Sequence, residues 1–227
     1  MIFRDRREAG RRLAARLAHY AGRKEVLVLG LPRGGVPVAY EVARALGDPL
    51  DVFLVRKLGT PGQEELAMGA VATGGTIVLN RHIVEALGVS QPQIDSVVSR
   101  EQREIARRQH MYRGDRPLPD VRGKTVILVD DGLATGATMS AAVKALQSPA
   151  AAEARPARVV VAIPTAAAAT CEHFRGLVEE VVCLATPEPF YAVGAWYEDF
   201  SQITDEQVRD LLAEGGDGTQ TPASEAA

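Results

Sequence analysis

Short apolar runs alternate with longer amphipathic segments along most of the chain. The apolar runs consist mainly of Val, Leu and Ile in continuous blocks, which is typical of strands that are covered on both faces. They lie at residues 26–29, 51–55, 125–129, 159–163 and 181–184. Because helical segments separate them, the pattern predicts an α/β fold with a doubly wound parallel sheet.

Helical periodicity marks the segments between these strands. Residues 6–19 place Leu13 and Leu17 on one face and arginines on the others, so they predict an amphipathic helix at the start of the chain. By the same criterion we expect helices at residues 36–46, 137–146 and 165–174.

Residues 59–112 interrupt the alternation and predict an insertion. Two β-type runs, 68–71 and 76–79, are joined by Thr-Gly-Gly and predict a hairpin, since paired glycines tolerate the positive φ of such turns. Residues 91–112 are polar with sparse apolar positions, so we expect a long exposed helix. A basic stripe follows this helix, which we interpret as solvated or dimer-facing rather than as a site for an acidic partner; it comprises Arg100, Arg103, Arg107, Arg108 and Arg113.

Composition is that of an ordinary globular domain. The chain has 227 residues, of which 46% are apolar, enough to bury a core. Residues 214–227 contain no bulky apolar side chain and predict a disordered tail. We therefore expect one domain at residues 1–213, with the insertion inside it.

Charge and cysteine content narrow the class of partner. The formal net charge of −3 argues against a dedicated nucleic-acid binder, which usually carries a basic excess. Cys171 and Cys183 are too few for a disulfide framework and favour a reducing compartment. No apolar run reaches the ~20 residues that cross a bilayer, and the N-terminal residues lack the apolar core of a secretory signal. We expect a cytoplasmic protein without membrane or nucleic-acid partners.

The most informative stretch is VILVDDGLATGAT at residues 126–138. A predicted strand ends in two carboxylates, Asp130 and Asp131, which can accept hydrogen bonds from the vicinal hydroxyls of a sugar. The small residues that follow open a helix, whose first N–H groups can cradle a phosphate. An ordinary strand end followed by a Thr helix cap is the alternative. We favour a ribose 5-phosphate site, with the cradle formed by Ala134, Thr135, Gly136, Ala137 and Thr138.

A second glycine-containing loop, GLPRGG, follows the first predicted strand. Its glycines stand at positions 30, 34 and 35, so they do not meet the G-x-G-x-x-G fingerprint of dinucleotide-binding folds. Such folds also use an acidic residue after the second strand for the ribose, whereas this chain has Arg56 and Lys57 there. Solvated surface charges are the alternative for each basic residue. Together the two segments favour a polyphosphate ligand, bound by Arg33, Gly34, Gly35, Arg56 and Lys57.

At these residues the sequence resembles type I phosphoribosyltransferases. VILVDDGLATGATM is similar to their signature for phosphoribosylpyrophosphate (PRPP), and most closely to the adenine-type version, in which Ala also precedes Thr-Gly. Ala134 stands where hypoxanthine/guanine-type enzymes carry an Asp. The loop at Arg33 falls where the family binds pyrophosphate, and VRKLG at residues 55–59 is similar to the adenine-type Arg-Lys turn. The resemblance covers three loops within residues 26–140 and implies a Rossmann-like doubly wound sheet with a small hood.

The resemblance implies a pentosyltransferase that moves the 5-phosphoribosyl group from PRPP to a nitrogen nucleophile, expected to be a nucleobase in nucleotide salvage. Pyrophosphate would leave, and Asp130 and Asp131 would hold the ribose hydroxyls as the catalytic pair. Mg²⁺ would be held by the substrate without a direct protein ligand, in contact with Asp130 or Asp131 through water. The alternative is a PRPP-sensing regulator or binding protein of the same fold without turnover.

The resemblance also suggests where an acceptor and a mobile loop would lie. Aromatic side chains can stack on flat nucleobases. The candidates for stacking on the acceptor are Phe190, Tyr191, Trp196 and Tyr197. Packing in the core is an equal alternative for each of them. Residues 59–66 correspond to the family's mobile loop. Glu64 or Glu65 could act there as an acid or base, but two solvated charges are the interpretation we prefer. Relatives are often dimers, so a homodimer is expected by analogy.

Overall fold

A computed structural model describes residues 2–149 and 155–216 of the chain. Its strands and helices alternate in the order that the sequence predicts, with one additional sheet inside the insertion. In chain order they are α1 (Arg6–Arg16), β1 (Val26–Gly30), α2 (Gly35–Leu46), β2 (Leu50–Val52), β3 (Val55–Thr60), β4 (Gln63–Ala72), β5 (Ile77–Leu79), α3 (Arg81–Ala86), α4 (Gln91–Arg113), β6 (Thr125–Val129), α5 (Ala137–Leu146), β7 (Arg158–Thr165), α6 (Ala168–Arg175), β8 (Glu180–Ala185) and α7 (Asp205–Gly216).

The main sheet has five parallel strands in the order β2-β1-β6-β7-β8. Successive side chains of a strand point to opposite faces, and on β1 Val26 and Val28 join one core cluster while Leu27 and Leu29 join another. The first cluster packs against α1, α2, α4 and α7, and the second against α5 and α6. Helices therefore cover both faces of the sheet, which confirms the doubly wound α/β architecture.

The predicted second strand, residues 51–55, is divided between two sheets. β2 ends at Val52, and β3 begins at Val55 in a separate antiparallel sheet of order β3-β4-β5. Phe53 N still donates to Gly30 O of the main sheet, whereas Leu54 N donates to Thr73 Oγ1 at the end of the insertion's hairpin. The sequence shows one apolar run because the residues on both sides of the division pack into the core. The division into two strands is set by hydrogen bonds to residues far away in the sequence.

The insertion contains the predicted hairpin, formed by β4 and β5. Residues 59–66, interpreted above as a mobile loop, instead form the turn and flanking strands of a second hairpin, with Thr60 paired with Gln63. Gly62 at the turn has φ +79°, a conformation that favours glycine. Backbone pairing of β3 with β4 therefore replaces the expected loop.

α4 was predicted to be exposed, but one of its faces is buried. Ile94, Val98 and Ile105 pack into the core, while Glu101 and Arg113 are buried polar residues. Arg113 Nη2 lies 3.1 Å from Asp51 Oδ2 in the protein interior. Because Arg113 is buried, the predicted basic stripe does not lie on a single solvated face. No helix within the described residues is long and apolar enough to cross a membrane.

The end of the described chain is helical for longer than the sequence predicts. α7 continues to Gly216, so the first residues of the predicted tail 214–227 belong to this helix. Gly215 lies against Leu50 and Tyr40, where its lack of a Cβ permits close packing. The rest of the predicted tail, residues 217–227, lies outside the described residues.

Candidate active site

The loops that follow β1 and β6 meet at the carboxyl edge of the main sheet. Leu31 N donates to Val129 O at 2.9 Å, and the peptide bond between Pro32 and Arg33 is cis. A Cβ on Gly34 would lie 2.0 Å from Asp131 Oδ2, and one on Gly35 would lie 2.6 Å from Val129 O. Glycine is therefore required for this approach, which brings the predicted pyrophosphate loop against the predicted carboxylate pair.

Asp131 is held by residues from both ends of the chain. Arg6 Nε on α1 donates to Asp131 Oδ2 at 2.8 Å, and the side chains are 9% and 14% exposed. Tyr197 Oη donates to the backbone O of Asp131 at 2.6 Å. Arg6 is not among the predicted site residues, because the helical pattern predicts the arginines on the faces away from Leu13 and Leu17. In the structure Arg6 lies on the same buried face of α1 as Leu13.

Asp130 and Asp131 influence each other's charge. Burial raises the pKa of Asp130 well above its usual value, and the neighbouring Asp131 carboxylate raises it further. Burial also raises the pKa of Asp131, while the hydrogen bond from Arg6 opposes this change. Asp130 Oδ1 accepts from Asp131 N at 2.9 Å, which fixes the first carboxylate against the loop. The pair can accept hydrogen bonds from hydroxyls or share a cation, either of which would favour its charged form.

The predicted phosphate cradle opens α5. Gly136 precedes the helix with φ +69°, and Ser140 N donates to its carbonyl at 2.8 Å. The N–H groups of the first helical turn have no intrahelical acceptor and can bind an anion. α6 supports the cradle from behind, since Thr170 Oγ1 donates to Ala134 O at 2.9 Å. The exposed cradle residues are Ala134, Thr135, Ala137 and Thr138.

Arg56 and Lys57 lie on β3 and point to opposite faces of its sheet, as neighbours on a strand do. Arg56 Nε donates a hydrogen bond of 2.8 Å to the Glu101 carboxylate of α4. The Arg56 side chain also lines a small cavity, together with Pro32, Arg108 and Thr138. Lys57 faces α5 across a larger groove and pairs with the fully exposed Glu65 at 3.2 Å. The predicted basic pair is therefore divided.

Arg108 joins Arg56 in the small cavity, which is also lined by Leu31 and Pro32 of the loop at residues 31–34, called the Gly34 loop below. From the sequence, Arg108 was expected to be solvated or dimer-facing, but its side chain is only 30% exposed and pairs with Glu104. Arg33 is more exposed, and its Nη1 lies 4.0 Å from Asp205 Oδ1. Three arginines thus stand near the loop, each from a different element or loop.

The aromatic candidates occupy two different environments. Tyr197 is 6% exposed and packs between Phe3 and Phe200, so it has no free face for a base, contrary to its assignment as a stacking candidate. Phe190 and Trp196 stack on each other with an angle of 19° between their planes. Tyr191 is 85% exposed. Glu64 and Glu65 are also exposed, in the β3–β4 hairpin.

The Asp130 and Asp131 carboxylates have the donor chemistry that suits a magnesium ion. Mg²⁺ prefers oxygen ligands and usually keeps several waters, with one or two carboxylates from the protein. Asp130 and Asp131 offer such oxygens. Within residues 2–149 and 155–216 there is no group of three or more His, Cys, Asp or Glu side chains that could hold a metal alone.

The sequence and the structure of the chain are similar to those of known proteins. The family described as "Phosphoribosyl transferase domain" matches residues 4–173. A Mycobacterium tuberculosis H37Rv protein named "Putative phosphoribosyl transferase Rv0571c" is 45% identical over 211 residues, as is its counterpart in strain CDC 1551. The match covers 93% of this chain but 46% of theirs, so the chain spans about half the length of these relatives. The crystal structure of TT1426 from Thermus thermophilus is 45% identical with a TM-score of 0.81, over 95% of this chain and 100% of that one.

Proposed function

The chain belongs to the phosphoribosyl transferase family, and from this premise we propose that it transfers the 5-phosphoribosyl group of PRPP to a nitrogen nucleophile. The observation that carries the proposal is the contact of the Gly34 loop with Asp131. It brings a loop suited to pyrophosphate beside a carboxylate pair suited to ribose, with the phosphate cradle on the same loop as the carboxylates. A nucleobase is the acceptor that the family resemblance favours.

The carboxylate pair would act on the ribose. The acceptor's nitrogen lone pair forms a bond to C1, the bond from C1 to the pyrophosphate oxygen breaks, and pyrophosphate leaves with the bonding electrons. The nitrogen then gives up a proton to water. Positive charge develops on the ribose ring as the bond breaks, so Asp130 and Asp131 would stabilise the transition state while accepting hydrogen bonds from the ribose hydroxyls. The 5′-phosphate would lie in the cradle at the start of α5.

Basic side chains would bind the leaving group. Arg33 lies on the loop itself, while Arg56 and Arg108 line the cavity beside it. Mg²⁺, when bound to the substrate oxygens, would supply further neutralisation of pyrophosphate charge. Lys57 faces the groove on the other side of β3, so it would contact the donor only from that side. Catalysis would then rest on positioning and electrostatics rather than on a nucleophilic side chain.

Calorimetric titration of PRPP with and without Mg²⁺ tests donor binding, and release of pyrophosphate against a panel of bases tests turnover. Binding that requires Mg²⁺, together with release in the presence of one base, would support the enzyme. Binding without release for any acceptor would favour a PRPP-sensing protein of the same fold. Absence of binding would refute the proposal.

Assembly and location complete the proposal. We propose a cytoplasmic homodimer without nucleic-acid partners, supported by the net charge of −3, by the two free cysteines and by analogy with the family. Light scattering of the purified protein would measure the oligomeric state. A monomer at all concentrations would contradict the dimer and leave the transfer reaction unaffected.

A further inference from the structure

The two cysteines of the chain lie on neighbouring elements, on the same face of the main sheet. Cys171 is on α6 and is 1% exposed. Cys183 is on β8, packs against the same core cluster and is partly exposed. Both are free thiols, and their sulfur atoms are close enough for a hydrogen bond from one to the other. The fold therefore holds two thiols in contact, as formation of a disulfide bond requires.

The contact makes the two thiols unequal. The hydrogen bond from Cys183 lowers the pKa of Cys171, although burial opposes this change. The same hydrogen bond, together with burial, raises the pKa of Cys183. Cys183 Sγ also lies 3.3 Å from Ala185 O, which is a second acceptor for its proton. Because the thiolate is the reactive form of cysteine, Cys171 is the nucleophile of the pair, and the more exposed Cys183 connects it with solvent.

The helix that carries Cys171 also supports the phosphate cradle. Thr170 Oγ1 donates to Ala134 O at 2.9 Å. Phe174 packs so closely against Gly136 that a Cβ on this glycine would lie 2.8 Å from the phenyl ring. Cys171 therefore lies between the two residues through which α6 contacts the cradle.

A bond between the two sulfur atoms would change how α6 and β8 pack. A disulfide is about 2.05 Å long, which is much shorter than a hydrogen bond between two thiols, so the helix and the strand must approach each other. β8 is at the edge of the main sheet, where β7 is its only strand neighbour within the described residues. Since protein interiors are closely packed and transmit strain, a shift of α6 displaces Thr170 and Phe174 against the cradle.

We propose that Cys171 and Cys183 form a redox modification site, in which hydrogen peroxide oxidises the two thiols to a disulfide that weakens the binding of a phosphate ester in the cradle. The Cys171 sulfur attacks one oxygen of the peroxide, the O–O bond breaks, and the departing hydroxide leaves as water with the Cys171 proton. Cys171 is then a sulfenic acid. The Cys183 sulfur attacks the Cys171 sulfur, and the sulfenic hydroxyl leaves with the Cys183 proton as a second water. Two electrons pass in total from the thiols to the peroxide.

Such a site fits the reducing compartment proposed above. Disulfides inside cells are usually transient and often serve in redox sensing. A dithiol reductant reverses the bond by thiol–disulfide exchange, which restores the packing of α6. Formation of the disulfide is independent of the proposed function, whereas its effect on PRPP rests on that function, because PRPP supplies the phosphate ester.

Thiol counts test the bond itself. The full-length protein is reduced, freed of reductant and treated with hydrogen peroxide, and its free thiols are titrated in denaturant. We expect two thiols before treatment, none after it, and a peptide pair linked through Cys171 and Cys183 in mass spectrometry. Dithiothreitol should return both thiols. Two thiols that persist, or oxidation to sulfinic acids without a link, would overturn the inference.

Calorimetry and amide hydrogen exchange test the effect on the cradle. We expect the disulfide to weaken PRPP binding in the presence of Mg²⁺ by about fivefold or more, within the usual range for coupling between separate sites. Amide exchange at Leu133 and Ser140, which donate to Thr165 O and Gly136 O, should become faster. Peroxide-treated Cys183→Ala is the matched control, because it retains one thiol and should show neither change.

The two possible failures are distinguishable. If the reduced protein does not bind PRPP, the proposed function fails, and the exchange rates of the two amides decide the inference alone. A disulfide that leaves both the PRPP affinity and the exchange rates unchanged would overturn the inference and leave the proposed function intact. Equal changes in the native protein and in Cys183→Ala would show that peroxide acts elsewhere, which would also overturn it.

Discussion

Arg6 and Asp131 are separated by 125 residues, yet Arg6 Nε donates a hydrogen bond of 2.8 Å to the Asp131 carboxylate. The same guanidinium donates to Ser201 O at 2.8 Å and lies 3.9 Å from the centre of the Phe200 ring. The first helix therefore orients one carboxylate of the candidate site and balances its charge before any substrate binds.

Replacing Arg6 should cost much of the stability of the fold. Arg6→Gln leaves a largely buried carboxylate without its cation, and breaking such a pair typically costs about 3–5 kcal/mol. Urea unfolding measures the change. Arg122→Ala, which removes an exposed pair with Asp120, should cost far less, because solvent screens an exposed ion pair. Similar losses in both variants would mean that the Arg6 bridge is no stronger than a surface pair.

Adding a single methyl group at Gly34 should weaken donor binding strongly. In Gly34→Ala the Cβ would lie 2.0 Å from Asp131 Oδ2, so the loop or the carboxylate must move. We expect PRPP affinity, measured by calorimetry, to fall at least tenfold. Gly176→Ala is the matched control, because its nearest contact would be an ordinary 3.7 Å and its φ of −83° suits alanine. Unchanged affinity in Gly34→Ala would show that the loop tolerates displacement.

The core strands could be predicted from the sequence because each is an uninterrupted apolar run that is buried on both faces. Arg6 could not be identified with the same ease, since it is one of several arginines in α1 and only its alignment with Leu13 and Leu17 marks its buried position. Its partner lies after β6, and no local pattern relates the two.

The insertion shows a second limit of sequence reasoning. Val55 continues the apolar run of β2, and the hydrogen bonds of Phe53 with Gly30 and of Leu54 with Thr73 show where the chain changes sheets. Arg108 belongs to a polar helix whose buried side depends on its packing against β3. Likewise, the burial of Tyr197 depends on Phe3 at the other end of the chain. Long-range contacts decide all three, and local periodicity does not encode them.

Asp130 should be dispensable for folding, and the carboxylate pair should be required for transfer. We expect Asp130→Asn with Asp131→Asn to abolish pyrophosphate release. Thermal unfolding at about pH 5 and pH 8 should show that Asp130→Asn alone retains the fold. Burial raises the pKa of Asp130, so the native protein loses stability as the pH rises, and an uncharged amide avoids that loss. Transfer at nearly the native rate in the double variant would refute the ribose assignment.

Arg33 should matter more for pyrophosphate than for ribose 5-phosphate. Arg33 lies on the loop that contacts Asp131 through Gly34; its side chain is 36% exposed, and its Nη1 lies 4.0 Å from Asp205 Oδ1. Arg33→Ala should therefore weaken pyrophosphate binding about tenfold or more, as expected for loss of a charge-assisted contact, while ribose 5-phosphate binding changes little. Competition against PRPP measures both. Equal loss for the two ligands would place Arg33 outside the pyrophosphate site.

Asp48 should make stability depend on pH in the direction opposite to a paired carboxylate. It follows α2, and burial raises its pKa to about 6, with Oδ2 buried and lacking a hydrogen-bond partner among the described residues. Because the folded state holds its proton up to a higher pH than the unfolded state does, stability is full below about pH 4 and falls as the pH rises to about 6. Above that pH the loss persists.

The substitution Asp48→Asn removes this loss. At about pH 8 we expect a gain of about 1–2 kcal/mol, since each pH unit between the two pKa values is worth about 1.4 kcal/mol and partial exposure reduces the effect. Below about pH 4 the variant and the native protein should be equally stable. Asp120→Asn is the control of opposite sign, because the hydrogen bond from Arg122 lowers the pKa of Asp120 to about 2, so any stability it contributes is lost as the pH falls from about 4. Urea unfolding across this range gives both curves, and a constant difference between Asp48→Asn and the native protein at every pH would contradict the raised pKa.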